Sequence, residues 1–180
     1  MRFCQRWTPP FATDNVARMN LFQSPEFARD MKHGEEAAVD ALLTQSFGSP
    51  AEAQLVAKLR KARVIAGETV LPMGGRIIGY YALSYLVKPK GWLCLAPVAI
   101  HSDVQGRGYG RRMLGVLTEW ARLTKTPVVV LGNPDFYARA GFSHELAKNL
   151  QSPYPIKNTL VAGIDQAPAQ TLVYPAAFTQ

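Results

Sequence analysis

The chain has 180 residues, of which 48% are hydrophobic, and this length and composition fit one folded domain and exclude a largely disordered chain. Residues 92–100, its main apolar run, are far fewer than the roughly 20 residues that span a bilayer, and the amino terminus lacks the apolar core of a secretion signal. We therefore expect a cytoplasmic protein that does not cross a membrane. A net charge of +7 favours an anionic partner.

Residues 1–25 contain three prolines and show no sustained period, so we predict an N-terminal extension followed by a single domain over residues 26–180. Cys4 and Cys94 lie far apart without a CxxC or a paired histidine spacing. This pattern favours neither a disulfide framework nor a zinc site, and no metal is expected.

Two helices are predicted after a short strand at residues 26–31. The first, over residues 34–47, has apolar side chains at helical spacing and acidic residues in its first turn. The second starts with a capping-box pattern at Ser49 and Glu52 and runs to residue 62.

Three strands are predicted next, over residues 64–71, 76–86 and 92–100, because β-branched and aromatic residues are interrupted there by turn residues. The third strand contains Pro97, which removes a donor from the ladder. We therefore predict a bulge or an unpaired edge at that position.

The chain then alternates between helices and strands. A turn at residues 101–110 precedes a helix to residue 125, whose apolar stripe contains Met113, Leu114, Leu117, Trp120 and Ala121. A strand at 127–131 and a short helix at 133–140 follow, with Asn133 as its cap and Pro134 at its first position. Further strands are predicted from Phe142 onward, at 159–164 and at 171–174.

The turn before the long helix is rich in glycine and reads Gln105-Gly106-Arg107-Gly108-Tyr109-Gly110. Unpaired N–H groups and the positive end of the helix dipole meet at such a place, so an anion would bind there. The glycines leave the backbone bare, while Arg111 and Arg112 add positive charge. The spacing matches neither the dinucleotide fingerprint nor a P-loop, and a tight strand-to-helix connection is the alternative explanation.

Two ordered motifs carry a resemblance to a known family. Val98-Ala99-Ile100-His101, followed by Gln105, Gly108, Gly110 and a helix, resembles the acyl-CoA pyrophosphate motif of the GNAT superfamily of N-acyltransferases. Downstream, Tyr137 lies four residues before Gly141-Phe142, which resembles the second signature of that family. The resemblance covers residues 27–146, and the Leu-Gly-Asn-Pro and Pro-Tyr-Pro segments suggest the predicted bacterial acetyltransferase branch.

The resemblance implies an α/β fold with a mixed, largely antiparallel sheet that is flanked by helices. The sheet is expected to splay apart between the strand ending at Ile100 and the strand at 128–131, with the pantetheine arm of acetyl-CoA or another acyl-CoA in the gap. The residues that the resemblance assigns to cofactor binding are Val98, Ala99, Ile100, Gln105, Gly106, Arg107, Gly108, Tyr109, Gly110, Arg111, Asn133 and Tyr137.

The implied activity is transfer of the acyl group to a primary amine, by direct attack on the thioester in a ternary complex. Tyr137 stands where the family places the acid that protonates the leaving thiolate, and a core tyrosine packed on Phe136 and Phe142 is the alternative. A backbone N–H of residues 98–100 is expected to stabilise the oxyanion.

The sequence assigns no side chain as the general base, since residues 92–97 contain no carboxylate. The candidates each have a structural explanation: His101 as a solvated loop residue, Glu52 as a cap, Glu68 as a surface residue and Cys94 as a small buried hydrophobe. A water relay, or an amine that arrives neutral, requires no base from the protein.

The sequence does not identify the acceptor, which is expected to be a small molecule or a protein amine. Strand alternation predicts Tyr81 and Tyr85 on one face and Tyr80 on the other, and these residues and Tyr154 are candidates for an acceptor pocket. The proline-rich segment 153–175 is a candidate for its cover.

Two other functions remain open at this point. One is a GNAT domain that binds acyl-CoA for regulation without catalysis, because no base is evident. The other is a basic nucleic-acid-binding protein, suggested by Arg107, Arg111, Arg112 and Arg122 around one helix but weakened by the dispersion of the other basic residues. A homodimer is compatible with the sequence.

Overall fold

The computed structural model describes residues 24–178, so Cys4 and nearly all of the predicted N-terminal extension lie outside the described residues. In chain order the strands and helices are β1 (Arg29–Asp30), α1 (Glu36–Phe47), α2 (Ala51–Lys61), β2 (Ile65–Met73), β3 (Arg76–Tyr85), β4 (Leu93–Ile100), α3 (Tyr109–Thr124), β5 (Val128–Leu131), α4 (Pro134–Ala138) and β6 (Thr159–Ala162). A single 3-10 turn over Ala176–Phe178 ends the described chain. Within residues 24–178, no helix is both long and apolar enough to cross a bilayer.

The six strands form one sheet in sequence order, β1-β2-β3-β4-β5-β6. Every neighbouring pair is antiparallel except β4 and β5, which run parallel because α3 carries the chain across between them. The predicted mixed, largely antiparallel sheet flanked by helices is confirmed.

The sheet opens in the middle, between β4 and β5. Leu83 of β3 pairs with Leu95, whereas Tyr81 pairs with Val98, so β4 contains one extra residue between these two positions. This is the bulge predicted at Pro97, and it bends β4. β5 pairs only with the first part of β4, from Leu93 to Leu95, and the second part of β4 therefore has a free edge on that side.

Helices cover both faces of the sheet. α3 packs on one face through its buried residues Met113, Leu114, Leu117 and Ala121. Trp120, which was predicted on the same stripe, is instead 41% exposed beside a surface groove. α1 and α2 pack on the other face, next to a cluster formed by Cys94, Val129 and the C-terminal segment.

Two predicted strands are absent from the described residues. Ser143 forms only an isolated bridge with Val161 before the chain enters a 3-10 turn, and residues 171–174 contribute only isolated bridges. The prediction was wrong in both places because a strand requires a partner of matching length, and neither segment has a neighbouring edge along more than one residue.

A buried ion network joins α2 to the sheet. Arg60 Nη2 donates to Glu68 Oε1 at 2.7 Å, and the Tyr80 hydroxyl donates to the same oxygen at 2.6 Å. The Glu68 side chain is only 11% exposed, so the prediction of a surface residue was wrong. Alternation along β2 allowed either face, and the position of α2 decides that Glu68 faces inward.

Candidate functional site

A cavity of 710 Å³ lies between the free part of β4 and the start of α3; we call it the loop cavity. Its walls are Val98, Ile100, Val104, Gln105, Gly106, Arg107, Gly108, Tyr109, Gly110, Arg111, Phe136, Tyr137 and Arg139. Ten of the twelve residues predicted to bind the cofactor therefore line this one cavity. Ala99 instead faces the α1 and α2 layer, because its neighbours Val98 and Ile100 face the cavity and strand side chains alternate.

The glycine turn holds its shape through left-handed backbone conformations. Gly106 has φ 75° and Gly108 has φ 82°, and a Cβ added at either residue would meet no atom within 4 Å. Glycine is required there by the backbone angles and not by lack of space. Gly108 is also the N-cap of α3, and no side chain caps that helix end. The first N–H groups of α3 therefore have no intrahelical acceptor, and such groups can donate to an anion.

The side chains around the turn have different tasks. Gln105 Nε2 donates to the carbonyl of Ile100 at 2.8 Å, which ties the turn to the end of β4. Arg107 and Arg111 are exposed on the cavity rim and contribute positive charge. The Arg112 guanidinium lies 5.6 Å from the centre of the Tyr109 ring, in a cation–π contact.

The basic face that suggested nucleic-acid binding is interrupted. Arg112 is stacked on Tyr109, as described above, and Arg122 forms an ion pair of 2.6 Å with Glu119. Of that group, Arg107 and Arg111 line the loop cavity, whose surface is concave, and Arg112 and Arg122 do not. The arrangement fits a small anion better than a nucleic-acid backbone.

A second cavity of 530 Å³ lies on the other side of the opening; we call it the aromatic cavity. Its walls are Phe47, Glu52, Leu55, Cys94, Leu95, Ala96, Pro97, Val98, Leu131, Gly132, Asn133, Phe136, Tyr137, Tyr154, Tyr174 and Phe178. The two cavities share Val98, Phe136 and Tyr137. They consequently meet where β4 and β5 separate.

Tyr137 stands at this junction. Its ring makes edge contacts with Phe136 at 5.1 Å and Phe142 at 5.8 Å, which is the packing that the alternative predicted, while its role as an acid stays a prediction. Burial raises the pKa of Tyr137 to about 12, and the hydroxyl therefore keeps its proton near neutral pH. Gly132 permits this position, because a Cβ there would lie 2.5 Å from the tyrosine ring.

Asn133 starts α4 and so positions Tyr137. Its side-chain oxygen accepts from the N–H of Asp135 at 3.0 Å and of Phe136 at 3.4 Å, which confirms the predicted cap. Asn133 borders the aromatic cavity and not the loop cavity. Its oxygen is occupied by the helix end, and its assignment to the cofactor remains a prediction.

The candidate bases differ sharply in their surroundings. His101 is buried, at 5% exposure, and its Nε2 accepts a hydrogen bond from the Arg76 guanidinium at 3.1 Å. The prediction that His101 is a solvated loop residue was therefore wrong. Cys94 is buried, as predicted, and burial raises its pKa to about 12, which keeps the thiol protonated. Glu68 is held in the network described above and lines neither cavity.

Glu52 is the carboxylate among these candidates that lines a cavity. Pro50, and not Ser49, precedes the first turn of α2, so the predicted capping box is wrong. The Ser49 hydroxyl instead accepts from the N–H of Ala51 at 3.3 Å and donates to a Glu52 carboxylate oxygen at 3.4 Å. The Glu52 side chain is half-buried and lines the aromatic cavity.

Comparison with known proteins agrees with this geometry. Residues 61–144 match a family model described as an acetyltransferase (GNAT) domain. The chain is 35% identical over 126 residues to the uncharacterised N-acetyltransferase YhbS of Escherichia coli strain K12, an alignment covering 65% of this chain and 73% of that protein.

The chain belongs to the GNAT acetyltransferase family.

Solved GNAT structures share its architecture. The structure of Escherichia coli YhbS in complex with CoA has a TM-score of 0.77 and 27% identity, and the match covers 86% of this chain and 92% of that one. A GNAT acetyltransferase of Brucella melitensis in complex with acetyl-CoA has a TM-score of 0.71 at 22% identity, over 86% of this chain and 98% of that one. The second likeness concerns the fold alone.

Several wall residues of this GNAT domain were not predicted from the sequence. Phe47, Tyr174 and Phe178 line the aromatic cavity and Arg139 lines the loop cavity. Of the tyrosines predicted for an acceptor pocket, Tyr154 lines the aromatic cavity, together with the C-terminal segment that was expected to cover it. Tyr80 instead lies in the core, and Tyr81 and Tyr85 border a separate groove. The one signal that concerned Tyr174 was the strand predicted at 171–174, and it did not indicate a cavity.

Proposed function

We propose that this chain transfers the acetyl group of acetyl-CoA to a primary amine by direct attack, with both substrates bound at once. The observation that carries the proposal is the junction of the two cavities at the opening between β4 and β5, beside Tyr137. A thioester placed there is reachable from the loop cavity on one side and from the aromatic cavity on the other.

The loop cavity is the proposed site of CoA. The pyrophosphate would accept hydrogen bonds from the backbone of residues 106–111, at the uncapped start of α3, with Arg107 and Arg111 as additional positive charges. The pantetheine arm carries amide groups, and these can pair with the free edge of β4 at Val98 and Ile100 as an added strand would.

The chemistry requires few groups from the protein. The neutral amine nitrogen attacks the thioester carbon, the C–S bond breaks after the tetrahedral oxyanion forms, and the nitrogen loses one proton while the sulfur gains one. A backbone N–H of residues 98–100 is the proposed oxyanion donor. The Tyr137 hydroxyl, which stays protonated because its pKa is raised to about 12, is the proposed donor to the leaving sulfur.

The proposal extends to the location of the enzyme. In the cytoplasm the enzyme would have access to acetyl-CoA, and the reducing conditions there would keep the Cys94 thiol reduced. The acceptor is one that reaches the aromatic cavity.

Calorimetric titration with acetyl-CoA tests the proposal, with adenosine 3′,5′-bisphosphate and NAD as comparison ligands. We expect acetyl-CoA to bind in the micromolar range, the bisphosphate more weakly, and NAD not at all. Release of the CoA thiol in the presence of an amine panel then tests transfer. Absence of acetyl-CoA binding would overturn the proposal, and binding without transfer to any amine would favour an acyl-CoA-binding domain without catalysis.

A further inference from the structure

We propose that the aromatic cavity selects a small primary amine with an apolar or aromatic body, and that Glu52 is the carboxylate that binds its ammonium group. This inference rests on the proposed transfer reaction, for which it names the acceptor class. It goes beyond that reaction because nothing in the transfer chemistry itself restricts the amine.

The size and walls of the cavity favour a small molecule. Its volume of 530 Å³ is in the range of small-ligand sites. One wall comes from the end of α1 and from α2, another from β4 and α4, and a third from the C-terminal segment through Tyr154, Tyr174 and Phe178. The third wall is fixed in place, since the Tyr154 hydroxyl donates to the carbonyl of Phe178 at 3.0 Å.

The charge of the cavity favours a cation. Among the wall residues within the described chain, Glu52 is the one that carries a full charge, and no lysine or arginine lines this cavity. The partly buried carboxylates Glu35 and Glu68 are each held by an arginine, whereas the hydrogen bond found for Glu52 comes from the Ser49 hydroxyl. A half-buried carboxylate without an arginine partner attracts an ammonium group from the substrate.

The remaining walls favour an apolar body attached to that ammonium. Tyr154 and Tyr174 contact each other at 5.0 Å between ring centres, and Tyr174 contacts Phe178 at 5.8 Å, so three rings form one continuous surface. Aromatic faces attract both apolar groups and cations. The buried Tyr174 hydroxyl has Ser152 as its polar neighbour but forms no hydrogen bond of ordinary geometry within the described residues. It therefore offers one polar contact to a ligand.

The position of the cavity connects recognition with reaction. The walls shared with the loop cavity, Val98, Phe136 and Tyr137, lie at the proposed place of the thioester. An ammonium bound at Glu52 must lose one proton to solvent before its nitrogen attacks, and the role proposed for the carboxylate is to bind and orient the amine beside the thioester. A carboxylate on the substrate would be repelled by Glu52, so amines without an acidic group are preferred over amino acids.

The test compares 2-phenylethylamine, isoamylamine, phenylalanine and a lysine-containing tetrapeptide as acetyl acceptors. Wild type, Glu52→Gln, Glu52→Asp and the control Glu119→Gln are assayed with each, since Glu119 is an exposed helix carboxylate outside both cavities. Calorimetry measures acetyl-CoA binding by each variant, and separately the binding of 2-phenylethylamine to the free protein and to its CoA complex.

We expect the two simple amines to be the best acceptors. Glu52→Gln should raise their KM roughly 10- to 100-fold, which is the effect of losing a hydrogen bond to a charged group. Glu52→Asp should retain most of the wild-type KM, and Glu119→Gln all of it, with acetyl-CoA binding unchanged throughout.

The outcomes separate the inference from the transfer reaction. Efficient transfer with an unchanged KM in Glu52→Gln, or a preference for the peptide, overturns the inference and leaves the transfer reaction intact. Absence of acetyl-CoA binding by the wild type overturns the transfer reaction. Direct titration with 2-phenylethylamine then tests the amine site on its own. Binding that Glu52→Gln removes supports the amine site, and absence of binding overturns it.

Discussion

At Tyr137 the packing of the ring determines the protonation state of the hydroxyl. Its ring is enclosed by Phe136 and Phe142, and the same enclosure raises the pKa of its hydroxyl to about 12. The hydroxyl is therefore a donor over the whole physiological pH range. Gly132 leaves the space that the ring occupies, so the donor stands at the junction of the two cavities.

Replacement of Tyr137 by phenylalanine removes the donor while retaining the packing. We expect kcat to fall about 100-fold, the lower range for loss of a general acid, and the Kd of acetyl-CoA to stay unchanged. Steady-state kinetics and calorimetry measure the two quantities. Tyr85→Phe is the matched control, because Tyr85 is 51% exposed and outside both cavities. A Tyr137→Phe enzyme with wild-type kcat would remove the hydroxyl from the mechanism.

At the scale of elements, the turn before α3 is built from backbone conformation and not from side-chain contacts. Gly108 has φ 82° with open space around its Cα, so a larger residue there meets strain without meeting a clash. To relieve that strain the turn must change shape, which would move the N–H groups that begin α3. The proposed binding of an anion at this turn therefore depends on glycine at position 108.

Gly108→Val tests this dependence. We expect the Kd of acetyl-CoA to rise at least about tenfold, from a strain of roughly 1–3 kcal/mol, with near-wild-type circular dichroism. Gly115→Val is the matched control: Gly115 lies within α3, also has no atom within 4 Å of an added Cβ, and has no left-handed backbone angle. Unchanged acetyl-CoA affinity in Gly108→Val would contradict the assignment of the turn.

Another link between elements is the network of Arg60, Glu68 and Tyr80, which attaches α2 to β2 and β3. Glu68→Gln removes the carboxylate that lies 2.7 Å from the Arg60 guanidinium and leaves Arg60 with the more distant carboxylate of Asp40, at 3.7 Å, in a partly buried place. We expect a loss of about 2 kcal/mol in the free energy of unfolding, measured by urea denaturation. The exposed pair of Glu145 and Lys148 is the comparison, since Glu145→Gln should change stability by less than about 0.5 kcal/mol. Equal effects of the two variants would show that the network contributes no more than a surface pair.

At the scale of the whole molecule, resistance to acid depends on carboxylates that the fold keeps ionised. Glu35, just before α1, accepts two hydrogen bonds from Arg29 of β1, at 2.6 and 2.9 Å, and one from the N–H of Lys32 at 2.7 Å. The Arg29 hydrogen bond is the main reason that the pKa of Glu35 falls from 4.5 to about 2. Folding therefore gains from this carboxylate above pH 4.5, and the gain disappears as the pH falls towards 2.

Glu35→Gln removes this pH-dependent contribution. We expect the variant to be about 1 kcal/mol less stable than wild type at pH 7, as for a well-formed, half-exposed ion pair, and the two stabilities to converge as the pH approaches 2. Thermal unfolding followed at a series of pH values measures this difference. A constant difference at every pH would mean that the stabilisation does not come from the ionised carboxylate.

The sequence by itself determined the features that local chemistry specifies. The glycine turn at 105–110, the cap at Asn133 with Pro134 and the bulge at Pro97 each follow from the backbone preferences of a few consecutive residues. The mixed sheet and most residues of the loop cavity could also be predicted without coordinates, because two ordered motifs resemble a known family whose fold and cofactor site imply them.

Only the tertiary structure decided which polar groups are buried and which enter a cavity. Glu68 was predicted on the surface and His101 in solvent, but Arg60 and Arg76, which lie elsewhere in the chain, bind them in the interior. The aromatic cavity likewise joins five separate stretches of the chain, from Phe47 to Phe178, and none of them indicates the cavity by itself. The physical reason is that burial, charge pairing and enclosed volume depend on side chains brought together by folding, whereas capping and turn formation depend on immediate neighbours.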